Sequence, residues 1–189
     1  MRRMILLLTA LATLLAGCTG ASPADPPGGG RVTTSPSVAA TSPADTRRLD
    51  VYEAVLRHLA GGERSHWEVI YVEERICDNA GSGLQQRDCD ERFSPEDQQD
   101  LGDRVDDLGA TVAFVPDSSA LGNRIMGGRE HAVFVWMGPL EHGPEGSVEV
   151  GGSMSCGGLC GSGSTWKVVP AGSGWKVDGS ASGAGTWIA

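Results

Sequence analysis

Apolar residues recur along this chain with two different periods, and the change from one to the other divides it into elements. From Asp45 onward Leu49, Tyr52, Leu56 and Leu59 stand at helical spacing, with Asp50 and Glu53 early in the run and Gly61-Gly62 closing it, which predicts an amphipathic helix. Trp67-Glu68-Val69-Ile70-Tyr71-Val72 follows, dense in β-branched and aromatic residues and apolar on both faces at its centre, as expected of a covered strand. The polar segment from Cys77 to Phe93 reads as a looped excursion tied at its base. A second helix begins with Ser94 as N-cap, Pro95 at the first helical position and Asp97 completing a capping box. Leu101, Val105 and Leu108 form its apolar stripe, and Gly109 is its stop.

The remainder is strand-like. Ala110 to Val115 ends at Pro116-Asp117, and Ser118 to Gly128 reads as a glycine-containing loop. Ala132-Val133-Phe134-Val135-Trp136-Met137 has the two-sided apolar character of a central strand, while Ser147 to Met154 alternates more loosely. Trp166-Lys167-Val168 and Trp175-Lys176-Val177, joined through Pro170-Ala171-Gly172-Ser173-Gly174, predict an antiparallel hairpin with each Trp and Val inward and each Lys outward. The order is helix, strand, helix, then five strands. Too little chain remains for crossover helices late in the sequence, so the expected fold is α+β: two helices packed on one face of a mainly antiparallel, roughly six-stranded sheet.

The N-terminus follows a different logic. A cationic start, Met1-Arg2-Arg3, precedes an apolar run from Met4 to Leu15 and then Leu15-Ala16-Gly17-Cys18. The run is about a dozen residues, short of the roughly 20 that a spanning helix needs, so residues 1–17 are expected to be a cleaved signal peptide. Residues 18–44 carry Thr, Ser, Pro, Ala and Gly, including Pro26-Pro27-Gly28-Gly29-Gly30, and lack the apolar side chains that would offset the entropy of ordering. They are expected to be a disordered tether reaching on the order of 30 Å, with residues 45–189 as a single extracytoplasmic domain. Leu15-Ala16-Gly17-Cys18 resembles the lipobox of bacterial lipoproteins. That resemblance implies diacylglyceryl alkylation of Cys18, which becomes the new N-terminus, and residence on the extracytoplasmic face of the bacterial cell membrane; two acyl chains anchor stably where one is marginal.

The cysteine count agrees. The chain has five, and with Cys18 lipidated an even set remains: Cys77, Cys89, Cys156 and Cys160. In an oxidising compartment two disulfides are the expected outcome. Of the three possible connectivities, the local one, Cys77 with Cys89 and Cys156 with Cys160, is preferred because each pair brackets a glycine-containing stretch able to turn back. Loss of Arg2 and Arg3 with the leader takes the formal charge from −9 to −11. A body this acidic lacks the cationic patches that phosphate recognition requires, which makes nucleic acid an unsuitable partner.

Cys156-Gly157-Gly158-Leu159-Cys160-Gly161-Ser162-Gly163, followed by the two Trp-Lys-Val pieces and Trp187-Ile188, resembles the C-terminal third of exported bacterial proteins carrying a CGGLCGxG segment. The resemblance implies a small exported fold and supplies no catalytic residues. The helix-then-sheet order is similar to cystatin-like and nuclear-transport-factor-like cones, a similarity of architecture alone.

Candidate chemistry is sparse. Three residues separate Cys156 from Cys160 where a thioredoxin-type site has two, and no helix pattern follows to stabilise a thiolate. The unlike spacing of Cys77 and Cys89 argues against zinc. His58 falls in the last turn of the first helix, where the dipole favours a cation, and His66 begins a strand. Glu130-His131 and Glu141-His142 flank the central strand and are the groups available for acid–base chemistry. No G-x-S-x-G nucleophile elbow is present. The acidic run from Asp88 to Asp107 lacks the order of an EF-hand loop and reads as a solvated helix face. No catalytic residue, metal or cofactor is assigned. The expected function is a lipid-anchored, non-catalytic envelope module contacting a protein, the wall or a small molecule; the alternative is a small envelope hydrolase using the His and Glu groups of residues 130–142.

Overall fold

The computed structural model describes residues 43–62, 66–82, 88–117, 121, 131–157, 160–183 and 185–188. All of them belong to the compact unit Ala40–Ala189. The signal segment, Cys18 and most of the expected tether lie outside the described residues. The first helix, α1, spans Pro43–Ala60 and so starts two residues ahead of the expected boundary at 45.

The fold is α+β, as the periodicities predict. Strand β1 (Val69–Ile76) is followed by a short β2 (Glu91–Arg92), helix α2 (Pro95–Arg104), β3 (Thr111–Val115), β4 (Ala132–His142), β5 (Val148–Gly157), β6 (Cys160–Ala171), β7 (Gly174–Ser180) and β8 (Trp187–Ile188). The order across the sheet is β2-β1-β4-β5-β6-β7, with β3 also on β1 and β8 also on β6. From β4 to β7 the strands run antiparallel. Two parallel pairs, β1 with β3 and β1 with β4, depart from that pattern. They sit early in the chain, where α2 and the segment after β3 supply the length a parallel return requires. The edges are shared: β2 and β3 both pair with β1, and β7 and β8 both pair with β6, each along a different stretch.

Alternation along the strands sorts side chains into two sets. Ile70 and Val72 of β1, Val133, Val135 and Met137 of β4, Val150, Trp166 and Val168 pack with Val51, Tyr52, Val55, Leu56 and Leu59 of α1 in the principal core. Trp166 is anchored by its indole N–H, which donates to the Gly152 carbonyl at 2.9 Å. The opposite face carries a smaller cluster of Tyr71, Leu121, Ala132 and Phe134.

Helix α2 opens with the capping box read from the sequence: Ser94 Oγ accepts from the Asp97 N–H at 3.1 Å, and the Asp97 carboxylate accepts from the Ser94 N–H at 3.0 Å. The acidic run is less solvated than expected, because arginines bind part of it. Arg48 reaches Asp97, Arg57 reaches Asp107, and Arg104 reaches back to Asp50. These pairs are half-exposed and contribute orientation of the two helices more than stability.

Cys77 is joined to Cys89 and Cys156 to Cys160, with Cα–Cα separations of 4.1 Å and 5.2 Å. The first disulfide closes the base of the excursion after β1, and the second crosses the β5–β6 hairpin, where Gly157 pairs with Cys160. Among the described residues no helix is long and apolar enough to cross a membrane.

Candidate functional site

The excursion between the paired cysteines packs its first residues, 78–82, on the sheet. Its 3₁₀ turn, Ala80–Ser82, lies flat on the sheet face opposite the helices. Ser153 Oγ of β5 donates to the Ala80 carbonyl at 2.5 Å, and Trp187 Nε1 of β8 donates to the Gly81 carbonyl at 2.9 Å. Backbone meets backbone here: a Cβ at position 81 would run into the Ser164 carbonyl, so only glycine permits the approach.

Beside this turn the sheet forms an open cleft of about 430 Å³. One wall is Asp78, Asn79 and Ser82, and the floor includes Pro139, Glu141, Glu149 and Thr165 from three adjacent strands. Asn79 adopts a left-handed backbone, φ 58°, which turns the wall toward the floor. Glu141 and Glu149 stand directly opposite each other across the β4–β5 ladder. Like charges so placed repel. Lys167 is opposite Glu149 on its other side, yet among the described residues no ion pair or hydrogen bond reaches the carboxylates of Glu141, Glu149 or Asp78. The cleft thus carries three carboxylates that are not taken up in ion pairs, with Lys167 across the ladder from Glu149 and Arg47 and Arg48 along the groove that Glu141 also lines.

Among the described residues, the only group of three metal-ligating side chains with donor atoms mutually within 4.8 Å is Glu73, Cys77 and Cys89. Both of those sulfurs are consumed by the disulfide, so that group offers one free ligand type and does not make a metal centre. Glu73 is itself 2% exposed, and its carboxylate accepts from Arg75 Nε at 2.9 Å.

The groups that sequence reasoning singled out for acid–base chemistry are separated. His131 precedes β4 and Glu141-His142 ends it. At about 3.3 Å per residue the strand holds them roughly 30 Å apart. All three are exposed, and Glu130 lies outside the described residues. A pocket joining His131 to Glu141 is not formed. Glu141 enters the cleft with Glu149 and Asp78 instead, two residues to which the sequence pattern gives no prominence. His142 lines a smaller groove of about 220 Å³ at the start of α1, with Arg47, Val51 and Leu140.

His58 was expected to gain from the helix dipole as a cation. Its ring instead packs edge-on against Trp166, centroids 4.4 Å apart, and burial pushes its pKa down.

Compared with protein-family models, curated proteins and solved structures, the chain matches none.

Proposed function

We propose that this chain is a lipid-anchored extracytoplasmic binding module, attached through Cys18, whose cleft takes an organic cation bearing spaced positive charges. The reading rests on one observation above the others: Glu141 and Glu149 face each other on the cleft floor, and among the described residues neither carboxylate is taken up in an ion pair or hydrogen bond. Holding like charges together is unfavourable in the empty protein and is relieved by a bound cation. Among the described residues these carboxylates do not gather three donor atoms within 4.8 Å, an arrangement that suits ammonium groups better than a single metal ion, which draws its oxygen ligands to 2.3–2.6 Å for calcium. Amine-bearing oligomers, amino sugars and lysine-rich peptides have the required chemistry.

The test is calorimetric titration of the full mature chain with spermidine, a neutral polyol of similar length serving as control. Binding by spermidine alone, weakened at least ten-fold in Glu141→Gln/Glu149→Gln and weakened by added salt, supports the reading. Equal heats for the amine and the polyol, or an unaffected double variant, overturn it.

A further inference from the structure

Strand β8, like β2, is held by only two residue pairs. β8 is only Trp187–Ile188, and its register is Ser162 with Ile188 and Gly163 with Trp187. Ile188 is 84% exposed and adds little to its attachment. The chain reaches β8 after Gly183, which has a left-handed φ of 81°, and through Gly185, which lines the carboxylate cleft.

Two side chains anchor this segment: Thr186 Oγ1 donates to Ser164 Oγ at 3.3 Å and lies 3.2 Å from Ser180 Oγ, and the Trp187 indole supplies the one large contact. The Trp187 ring lies on Gly161 and Gly163 of β6; a Cβ at 161 would come within 3.0 Å of the ring, and one at 163 would collide with Nε1. Those two glycines belong to the Cys160-Gly161-Ser162-Gly163 run, and the seat they form is a physical reason for having them. From that seat Nε1 donates to the carbonyl of Gly81 on the far wall of the cleft. Trp187 therefore spans from the β6 edge to the 3₁₀ turn, and the strap Gly185–Ile188 borders the cleft beside it. The wall it grips is fixed independently by the Cys77–Cys89 disulfide and by Ser153, so the strap is the movable partner.

We propose that Gly185–Ile188 is a strap that opens and closes one end of the carboxylate cleft, with Trp187 as its latch. The role assigned to opening rests on the cleft being the cation site argued above. Segments with few pairings and one large contact open at free energies well below global unfolding. Lifting Trp187 frees the Gly81 carbonyl and widens the cleft for a ligand broader than the closed form admits.

The fold provides an internal standard, because Trp166 Nε1 also donates at 2.9 Å but from within the core. Indole hydrogen exchange followed by NMR on the full mature chain is expected to be at least ten-fold faster for Trp187 than for Trp166. Equal rates mean that the strap opens only when the core does, which overturns the proposal. In the second arm, spermidine association followed by stopped flow is expected to be at least three-fold faster in Trp187→Ala, and intermediate in Trp187→Phe, which keeps a ring but not the N–H. Unchanged Trp166 exchange shows that each variant is folded. An association rate unaltered by either substitution overturns the gate. Spermidine binding to neither parent nor variants overturns the cation reading and the gate with it, while fast Trp187 exchange still establishes that the strap opens.

Discussion

Tyr52 Oη of helix α1 donates to the carbonyl oxygen of Gly138 in β4 at 3.1 Å. Gly138 lies in the stretch between Met137 and Leu140 where the β4–β5 register shifts, and it also lines the cleft. A hydroxyl buried under the helix thus fixes the backbone irregularity that sets the height of the cleft floor on the other face. Burial pushes the Tyr52 pKa up, partly opposed by the Arg48 guanidinium, so the phenol remains a donor across the usable pH range.

Tyr52→Phe keeps the ring packing against Phe93 and removes only the donor. The Gly138 carbonyl is then left without this partner, at a cost of about 1–3 kcal/mol. Chemical denaturation is expected to show a loss in this range with an unchanged denaturant dependence.

His58 carries a pH dependence whose sign follows from its environment. Its folded pKa is lowered by burial against Trp166, while the unfolded value is about 6.5. Near and below pH 6.5 the unfolded chain takes up this proton more readily than the folded one, so stability falls as pH drops from about 6.5 toward the folded pKa and levels off below it. Thermal melts of the parent and His58→Gln across pH 7.5 to 5 are expected to converge on different slopes, the variant being flatter in this window.

Glu141→Gln removes one member of a like-charged cross-strand pair. In the absence of ligand the variant is expected to be more stable by about 0.2–1 kcal/mol. A stabilised variant that binds spermidine less well is the signature of charge held for binding; a destabilised one indicates that Glu141 has a structural role. Equilibrium unfolding at low salt measures this directly.

Cys18→Ser removes the sulfur on which the proposed anchoring depends. The variant is expected to leave the membrane fraction and to incorporate no labelled palmitate, whereas the parent retains both properties. Fractionation after metabolic labelling reads the two outcomes together.

Where a signal was local, the sequence carried it to the correct element. Ser94, Pro95 and Asp97 start a helix because each satisfies a backbone group within one turn, and that geometry needs no distant partner. The Trp166-Lys167-Val168 and Trp175-Lys176-Val177 pieces form their hairpin for the same reason, with Val168 opposite Val177. The two-residue strands β2 and β8 fall outside the order of strands read from periodicity, because neither is long enough to show a period, although Trp187-Ile188 figures in the resemblance. His131 and Glu141 were expected to flank the central strand; β4 continues past Met137 to His142, so the two stand at its opposite ends.

Periodicity, caps and cysteine spacing depend on residues a few positions apart, so the amino-acid order alone determined the two helices, the α+β class and the late hairpin. It also carried the lipobox pattern at Cys18. The cleft was decided by tertiary structure. Asp78, Glu141 and Glu149 arrive from separate segments, and Trp187 meets Gly81 across 106 positions of chain. Such meetings depend on which strands become neighbours and which face the excursion covers. Those choices are made by burial of whole elements against one another, a collective free energy that no local stretch of sequence contains.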